Sequence, residues 1–328
     1  MKILLLGADG YYGYPLLNEL KKNHKVLGID NFYRRNIPNT PSLTPILNRD
    51  EIKFCDITDS KSLESVINSF SPDTVIHLAE QRSAPYSMEN FKKRKFTLEN
   101  NFLGTLNLLE CAKVNKFNII HIGSIGMYGY ENDRFIKEGD NIRNPASAYH
   151  LTKEIDSSLF SFYSKAYDIN IIDLVQGTIW GLGGRFDYDY LYGTVINRFI
   201  VQNLINHPLT IYGNGTQSRS FIHINNSIDC VKLVLEEKYH GYTIINQYTQ
   251  ILTINDIANI IGGSKINLEN PRFEKENNNL NTTNKTILDL GLTPIFFDSQ
   301  QVEIIKNKIR DYVNNVDLSL INPREKWS

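Results

Sequence analysis

A tyrosine and a lysine four residues apart, Tyr149 and Lys153, are the residues of this 328-residue chain best suited to proton transfer. On a helix, that spacing places the phenol and the ammonium group on one face. A lysine beside a tyrosine favours the phenolate and lowers the phenol pKa from about 10. Such a phenol can take a proton from a sugar hydroxyl while a neighbouring cofactor takes the hydride. Ser124, 25 residues upstream, can hydrogen-bond to the same hydroxyl.

The pair alone is weak evidence for an enzyme. With 18 Tyr and 35 Lys and Arg residues in the chain, about two such spacings arise by chance in a protein of ordinary composition. The alternative is an exposed tyrosine and a solvated lysine on a surface helix. The rest of the sequence has to decide between these interpretations.

Short apolar runs alternate with longer amphipathic ones through the first half of the chain. The predicted strands are Lys2–Leu6, Lys25–Ile29, Ile52–Cys55, Thr74–His77, Asn118–Ile122 and Ile171–Val175, and the predicted helices are Tyr12–Lys22, Ser60–Asn68, Phe96–Lys113 and Tyr149–Tyr167. This alternation predicts a parallel sheet with right-handed crossovers. After Gln176 the pattern changes to a glycine-rich loop at 181–185, a helix at 194–207, a strand at 209–212 and a turn at 213–215. The polar segment 269–284 reads as mainly loop.

A glycine-rich loop lies between the first strand and the first helix. It runs Gly7-Ala8-Asp9-Gly10-Tyr11-Tyr12-Gly13. Glycines three apart allow a tight turn, a close approach of the backbone to a pyrophosphate and packing of helix on strand. This context predicts an α/β fold: a Rossmann-type, doubly wound parallel sheet with a smaller C-terminal α/β region for the substrate.

Asp30 ends the second predicted strand and favours NAD as the cofactor. A carboxylate here can accept hydrogen bonds from the adenosine ribose and would repel a 2′-phosphate. Arg34 and Arg35 follow closely and could instead attract a phosphate, but Asp30 keeps NAD ahead of NADP. Asp56 and Ile57, after the third strand, are predicted to flank the adenine. For Asp56, capping of the following helix is an equally good interpretation.

Composition and charge exclude several classes of protein. A formal net charge of -1 argues against bulk nucleic-acid binding, and no apolar run is long enough to span a bilayer. The three cysteines are far apart, which fits a reducing, cytoplasmic location rather than a disulfide framework. The spacing of the histidines and cysteines indicates no metal site. We place the NAD-binding domain at 1–175 with about 220–250, and the sugar-nucleotide region at 176–219 and 251–328.

Taken together, these motifs resemble the extended short-chain dehydrogenase/reductase family, in particular its nucleotide-sugar epimerases and dehydratases. The resemblance covers nearly the whole chain, in the order of the family. It adds His77-Leu78-Ala79, Asn101 with Gly104-Thr105, and Arg219-Ser220-Phe221-Ile222-His223 to the motifs above. A homodimer formed through the helices 96–113 and 149–167 follows by analogy with the family.

A more specific resemblance is to the UDP-sulfoquinovose synthase branch of that family. It rests on Glu80-Gln81-Arg82-Ser83-Ala84-Pro85-Tyr86-Ser87-Met88, on Asp30-Asn31 with Arg34-Arg35, on Tyr149-His150-Leu151 and on Asn270-Pro271-Arg272. It implies that UDP-glucose and sulfite are the substrates. C4 would be oxidised transiently, the C6 hydroxyl lost, sulfite added at C6 and the hydride returned to C4.

The resemblance also implies roles for individual residues. Ser124, Tyr149, Lys153 and His150 would be catalytic, although His150 could equally make only a local hydrogen bond. The cofactor would be bound by Gly7, Asp9, Gly10, Tyr11, Tyr12, Gly13, Asp30, Asn31, Arg34, Arg35, Asp56, Ile57, Leu78, Glu80, Arg82, Asn101, Tyr149, Lys153 and Gln176. The sugar nucleotide would be bound by Arg82, Gln176, Thr194, Arg198, Thr210, Tyr212, Gln217, Arg219 and Arg272. Arg82 could hold sulfite or the cofactor pyrophosphate, or could form a surface ion pair.

The sequence departs from these relatives just after Ser124. The dehydratases carry an Asp-Glu pair where this chain has Ile125 and Gly126, and the synthases carry a glutamate where it has Met127. A candidate acid for the elimination step is therefore missing. Two rival functions remain: a UDP-glucose 4-epimerase, which needs only Ser124, Tyr149, Lys153 and NAD, and a catalytically idle NAD-binding scaffold.

Overall fold

The computed structural model describes residues 1–46, 49–129, 135–140, 144–272 and 280–322, and its largest feature is a parallel sheet. The strands are β1 (Lys2–Leu6), β2 (Lys25–Asp30), β3 (Ile52–Phe54), β4 (Thr74–His77), β5 (Asn118–Ser124), β6 (Ile171–Gln176), β7 (Thr178–Trp180), β8 (Leu209–Tyr212), β9 (Ser218–His223), β10 (Tyr242–Gln247), β11 (Gln250–Thr253) and β12 (Lys265–Leu268). Within the described ranges, seven of them pair in the order β10-β6-β5-β4-β1-β2-β3. The predicted doubly wound parallel sheet is confirmed.

Helices cover both faces of this sheet. They are α1 (Gly13–Leu20), α2 (Ser60–Phe70), α3 (Ala84–Glu89), α4 (Phe91–Asn115), α5 (Ala148–Tyr167), α6 (Val195–Leu204), α7 (Ile224–Glu236), α8 (Ile254–Ile261), α9 (Lys285–Asp289) and α10 (Ser299–Ile309). Apolar side chains of β1 alternate between two cores, with Ile3 and Leu5 in one and Leu4 and Leu6 in the other. Among the described residues, no helix combines the length and apolar character that a membrane span requires.

Several predicted boundaries were wrong, although the elements themselves are present. The helix predicted at 96–113 begins at Phe91, because the side chain of Asn90 accepts a hydrogen bond from the amide of Lys93 at 3.0 Å and caps it there. The helix predicted at 12–22 spans only Gly13–Leu20, and the one predicted at 194–207 ends at Leu204.

The second half contains small sheets that the sequence analysis missed. Strands β11, β9 and β7 form one, and β12 pairs with β8 in another. Part of the segment predicted as loop, 273–279, lies outside the described residues. Between β9 and β11 the chain returns to the large sheet through α7 and β10, and β10 pairs in parallel with β6. The proposed domain limits stay a prediction.

The carboxyl ends of the central strands meet along one edge of the sheet. Asp30 ends β2, His77 ends β4, and Ser124 on β5 lies opposite Gln176 on β6 in the strand register. Ligands of open α/β sheets bind outside this edge, because the connections to the following helices open a crevice there. The fold therefore brings residues from distant parts of the sequence to one place.

Candidate active site

The amino-terminal end of α5 places the predicted catalytic pair, Tyr149 and Lys153, beside β5. The hydroxyl of Ser147 accepts a hydrogen bond from the amide of His150 at 3.2 Å and caps the helix just before Tyr149. One turn further on, the ammonium group of Lys153 lies 5.9 Å from the centre of the Tyr149 ring. Both residues line the same cavity as Ser124. The sequence prediction that these side chains come together agrees with this geometry.

On its other side, Lys153 is held by the buried carboxylate of Glu80 and by a backbone carbonyl, and it also lies close to His121. Its Nζ lies 2.5 Å from a carboxylate oxygen of Glu80 and 3.1 Å from Nε2 of His121. It also donates a hydrogen bond to the carbonyl of Ile122 at 2.7 Å. Burial lowers the pKa of Lys153, but Glu80 and Tyr149 raise it more, so the pKa lies above its ordinary value and the group stays charged.

The phenol of Tyr149 does not have the lowered pKa that we expected from the sequence. Withdrawal from water raises the pKa of Tyr149, Lys153 lowers it, Glu80 raises it, and a hydrogen bond with Ser124 lowers it. The net pKa is above the ordinary value of tyrosine. The expectation considered only the lysine, and it overlooked both burial and the carboxylate that accompanies the lysine.

Beneath Lys153 lies a group that we call the charged cluster, formed by Glu80, His121, Asp156 and Asp173. His121 bridges two carboxylates, with Nδ1 2.8 Å from Asp173 and Nε2 2.9 Å from Glu80. Asp156, one helical turn after Lys153, lies 3.8 Å from Nε2 of His121. Oxygen and nitrogen atoms of Glu80, His121 and Asp156 approach one another within 4.8 Å, a spacing that would suit a cation. The ammonium group of Lys153 already lies against Glu80 there.

Burial and neighbouring charges set the protonation of the charged cluster. Burial and Lys153 lower the pKa of His121, but Asp173 and Glu80 raise it to about 9, so this histidine is a cation at neutral pH. Burial and the neighbouring Glu80 raise the pKa of Asp156 to about 8, so this carboxyl group is largely neutral. Burial also raises the pKa of Glu80, but Lys153 and His121 reverse this and hold it below its ordinary value.

Behind Ser124 lies a second group, the apolar cluster, formed by Ile125, Met127, Tyr128, Val175 and Tyr248. Met127 is completely buried in it, whereas the neighbouring Gly126 lines the cavity. A glutamate at position 127 would therefore enter apolar surroundings here. The side chain that replaces the missing acid is a packing residue.

His150 makes the local hydrogen bond that the sequence allowed, while its contact with the C6 region of a substrate stays a prediction. Its Nδ1 lies 3.1 Å from the hydroxyl of Ser147, and the residue also lines the cavity. The imidazole covers Gly126, where an added Cβ would lie 2.1 Å from Nε2. Burial and the nearby Arg272 and Arg219 lower the pKa of His150 to about 3, so the ring is neutral.

All residues predicted to bind the sugar nucleotide line one cavity of about 530 Å³ together with the catalytic residues. They are Arg82, Gln176, Thr194, Arg198, Thr210, Tyr212, Gln217, Arg219 and Arg272. The guanidinium of Arg198 stacks 5.0 Å from the centre of the Tyr212 ring. Gln217 donates a hydrogen bond to the carbonyl of Tyr212 at 2.9 Å. Arginine forks beside an aromatic ring suit a nucleoside diphosphate.

A second cavity lies over the glycine-rich loop and receives most of the residues predicted for the cofactor. Those lining it are Gly7, Asp9, Gly10, Tyr11, Tyr12, Gly13, Asp30, Asn31, Arg34, Ile57, Leu78, Glu80 and Arg82, while Tyr149, Lys153 and Gln176 line the sugar cavity. An added Cβ at Gly13 would lie 2.1 Å from the carbonyl oxygen of Gly7. The loop therefore needs glycine to form the tight turn that a pyrophosphate-binding backbone requires.

Asp30 is held at the mouth of this cavity as expected for a ribose acceptor. Its carboxylate accepts hydrogen bonds from the amides of Asp9 at 3.0 Å and Phe32 at 2.7 Å. Burial raises the pKa of Asp30 to about 6, so it is mostly ionised at neutral pH. Arg35 is bound to the carboxylate of Asp9, and Arg34 to that of Asp187 at 3.1 Å. These ion pairs occupy both arginines and favour NAD over NADP.

Three predicted cofactor residues do not line the cofactor cavity themselves, but each forms a hydrogen bond with a residue that does. Asn101 donates a hydrogen bond to the carbonyl of Gln81 at 3.1 Å, Asp56 accepts one from Asn31 at 3.0 Å, and Arg35 holds Asp9. The alternative for Asp56, capping of the next helix, is wrong, because Asp59 caps α2 through the amides of Lys61 and Ser62. A direct contact of these three residues with the cofactor stays a prediction.

The sequence analysis gave no site role to two residues that connect the walls of the cofactor cavity, although Asp187, with Arg185, belongs to a motif shared with the synthases. Arg49 is buried, donates hydrogen bonds to the carboxylate and the carbonyl of Asp9 at 2.7 Å and also binds the carbonyl of Gly184. Asp187 receives the guanidinium groups of Arg34, Arg82 and Arg185 at 2.7 to 3.1 Å. Arg49 gave no local signal, since its partners are far away in the sequence.

Comparisons with known proteins show which family this chain is similar to. The model of the NAD dependent epimerase/dehydratase family matches residues 3–246. The chloroplastic UDP-sulfoquinovose synthase of Spinacia oleracea is 33% identical over 99% of this chain and 79% of its own. The UDP-sulfoquinovose synthase of Sulfolobus acidocaldarius is 31% identical over 100% of this chain and 98% of its own. The solved UDP-glucuronic acid 4-epimerase of Bacillus cereus, in complex with UDP-glucuronic acid and NAD, is 28% identical, covers 96% of this chain and 99% of its own, and superimposes with a TM-score of 0.76.

Proposed function

Because this chain belongs to the NAD-dependent epimerase/dehydratase family and uses NAD, we propose that it converts UDP-glucose and sulfite to UDP-sulfoquinovose. The observation that carries the proposal is the position of the segment from Glu80 to Met88. Its residues Glu80, Arg82, Ser83, Ala84 and Pro85 line the sugar cavity, and Glu80 and Arg82 line the cofactor cavity as well. The segment is one of the motifs shared with the synthases, and here it forms the wall between the two cavities.

Each catalytic residue has a role that its contacts support. Tyr149 accepts the proton of the C4 hydroxyl and Ser124 holds the C4 oxygen. Lys153 stabilises the phenolate against the burial and the Glu80 charge that raise its pKa, and the positive charge of oxidised NAD would add to this stabilisation. NAD, held over the glycine-rich loop and Asp30, would supply the hydride acceptor for the oxidation at C4 and the hydride for its reduction.

The 4-keto group acidifies the C5 proton, so that this proton is removed and the C6 hydroxyl leaves as water. Sulfite then adds to C6 of the enone through sulfur, and C5 takes up a proton to restore the 4-ketone. At the end Tyr149 returns its proton to the C4 oxygen.

Arg82 is the residue that we assign to the anion. Its side chain is 34% exposed, pairs with Asp187 at 2.7 Å and lies between the rings of Tyr11 and Tyr192. Asp187 is shared with Arg34 and Arg185, so the group keeps positive charge beside the cavity. A dianion such as sulfite is attracted to such a site. His150, neutral and on the cavity wall, is the group we place near C6.

Incubation of the purified protein with UDP-glucose, with and without sulfite, tests this proposal directly. We expect mass spectrometry to detect a sulfonated nucleotide sugar only when sulfite is present. A galactose isomer formed without sulfite, with no sulfonated product, would contradict the proposal and establish the epimerase. No turnover of any UDP-hexose would favour the scaffold.

A variant of Arg82 separates sulfite addition from oxidation at C4. Arg82→Ala should reduce the sulfonated product about tenfold or more relative to the rate of C4 oxidation, because a charge-assisted hydrogen bond is lost. C4 oxidation is followed through reduced nicotinamide formed with UDP-glucose alone. Arg82→Lys, which keeps the charge, is the matched control. Its yield of sulfonated product should lie between that of the unchanged protein and that of Arg82→Ala. Equal loss of both steps would assign Arg82 to NAD or UDP instead.

A second candidate, UDP-glucose 4-epimerase activity, is favoured by the same catalytic residues. Ser124, Tyr149 and Lys153 suffice for oxidation and reduction at C4, and the described residues packed behind Ser124 in the apolar cluster carry no carboxylate. The product assay above distinguishes this candidate, since epimerisation needs no sulfite.

We also propose a homodimer and a cytoplasmic location. Helices α4 and α5 lie against each other and expose Phe102, Leu103, Leu151 and Phe162, of which Phe162 is 59% exposed. A second copy of the chain would cover these apolar side chains. The cysteines Cys55, Cys111 and Cys230 are free and buried, which suits a reducing compartment.

A further inference from the structure

Glu80 is the buried carboxylate nearest to the catalytic lysine, and the mechanism above gives it no part. Its side chain is only 3% exposed, although the residue follows β4 directly and lies at the border of both cavities. One oxygen lies 2.5 Å from Nζ of Lys153 and the other 2.9 Å from Nε2 of His121. Burying a carboxylate is unfavourable unless it is paired, and here its first partner is the catalytic lysine.

The other charged groups around Lys153 do not replace Glu80 in this role. The titratable and charged groups that face Glu80, Lys153 and Tyr149 include His77 on β4, Arg82 after β4, His121 on β5, Asp173 on β6, and Asp156 and His150 on α5. His150 is neutral, because burial and nearby arginines lower its pKa to about 3. Asp173 binds the protonated His121 at 2.8 Å. Burial and Glu80 keep the Asp156 carboxyl largely neutral, with a pKa of about 8. Burial keeps His77 neutral, with a pKa lowered to about 3. Glu80 is therefore the carboxylate that offsets the charge of Lys153.

A reaction that both removes and restores a hydride places two demands on Tyr149. The phenolate must accept the proton of the C4 hydroxyl, and the phenol must later give that proton back. Proton transfer in both directions is most efficient when the pKa lies near the working pH. A lone ammonium group would stabilise the phenolate and favour only the first step.

We propose that Glu80 acts as a positioning residue, which offsets the charge of Lys153 so that Tyr149 can both accept and return its proton within one turnover. This inference rests on the proposed function only in requiring that the hydride returns to C4. That requirement is shared by the sulfite-adding reaction and by 4-epimerisation. Glu80 contacts Lys153, and it acts on the substrate only through that lysine and Tyr149.

The direct test is a titration of Tyr149 in the NAD-bound protein without substrate. The tyrosinate absorbance of each protein is compared with that of the same protein carrying Tyr149→Phe, so that the difference reports Tyr149 alone. In Glu80→Gln the midpoint should fall by about one pH unit or more, because a nearby negative charge is lost and Lys153 is no longer offset. In turnover, the acid limb of C4 oxidation should move to lower pH, and reduced nicotinamide should accumulate because the return step slows.

Two control variants separate this role from a purely structural one. Glu80→Asp keeps the carboxylate and should restore a midpoint close to that of the unchanged protein. Glu303→Gln removes an exposed carboxylate on α10, paired with Lys306, and should leave the titration unchanged. A midpoint that stays the same or rises in Glu80→Gln would overturn the proposal and leave Glu80 as a structural ion pair.

A measurement on the unchanged protein keeps the proposal testable even where Glu80→Gln fails to fold. If Tyr149 is already fully ionised at about pH 6, four units below the ordinary tyrosine pKa, then Glu80 does not offset Lys153 and the proposal is wrong. Because this titration uses no substrate, its failure is distinct from the failure of the proposed function, which the product assay decides.

Discussion

The charged cluster under Lys153 and the apolar cluster behind Ser124 are both built around strands β5 and β6, yet one consists of buried ionisable groups and the other of apolar side chains. His121 on β5 lies opposite Asp173 on β6, and two residues further along, Gly123 lies opposite Val175. Within those two residues the interior changes from buried ion pairs to an apolar packing region. The end of the site where we propose that the C4 proton is transferred is surrounded by buried charges. The described residues beyond Ser124 form an apolar packing region.

The largest loss of stability is expected when a charged side chain is placed in the apolar cluster. Met127→Glu should lower the free energy of unfolding by about 3 to 5 kcal/mol, because the carboxyl group would be buried among apolar side chains. Urea unfolding at neutral pH measures this loss. Met127→Leu, which conserves volume, is the control and should cost less than about 1.5 kcal/mol.

An unchanged stability of Met127→Glu would contradict the distinction between the clusters. It would mean that the new carboxylate reaches the cavity, where it could act as the acid that the related synthases carry. Gain of elimination activity in this variant, measured with UDP-glucose and sulfite, would then confirm that position 127 can serve the site.

The charged cluster should make stability depend on pH. The folded-state pKa of His121, about 9, lies above the ordinary value of about 6.5. Its stabilising contribution is therefore fully present below about pH 6.5 and is lost as the pH rises through about 9. Asp156, with a pKa raised to about 8, acts in the same direction, since the folded state keeps a proton that the unfolded state releases above about pH 4.

Removal of one partner of His121 should flatten this dependence. Asp173→Asn should cost about 3 kcal/mol near pH 6, where the imidazolium loses its buried carboxylate, and clearly less above pH 9. Unfolding free energies across this range provide the measurement. Asp289→Asn is a matched control, because Asp289 is 61% exposed and pairs with Lys285 on the surface. An equal cost of Asp173→Asn at both ends of the range would show that His121 is not charged in the folded protein.

The two clusters also differ in how far the sequence could predict them. Local patterns predicted the alternation of strands and helices, the loop Gly7–Gly13 and the pair Tyr149 and Lys153. In the structure, the loop and the pair lie at the same edge of the sheet. For the apolar cluster, the sequence showed only that Met127 is apolar at a position where the resemblance implies an acid. The burial of Met127 involves Tyr248, which is more than a hundred residues away in the sequence.

The charged cluster could not be predicted, because its members come from separate elements. His121 and Asp173 become partners only through the register of β5 with β6, and Glu80 joins them from the end of β4. The polar residues within apolar strands gave no sign of their partners. The expectation that Lys153 alone sets the pKa of Tyr149 failed for the same reason, since Glu80 is remote from both in the sequence.

The smallest change in the free energy of unfolding is expected when one tyrosine hydroxyl is removed from each cluster. The hydroxyl of Tyr242 lies 3.3 Å from the carboxylate of Asp173 and 2.7 Å from the hydroxyl of Ser157, while that of Tyr248 donates to the carbonyl of Thr282 at 2.7 Å. Tyr242→Phe and Tyr248→Phe should each lower the free energy of unfolding by about 1 kcal/mol, the usual value of one hydrogen bond. Only Tyr242→Phe should also change the pH dependence of stability, because it alone removes a donor from the carboxylate that holds the charge of His121. Identical pH profiles for the two variants would mean that Asp173 keeps its effect on His121 without this hydrogen bond.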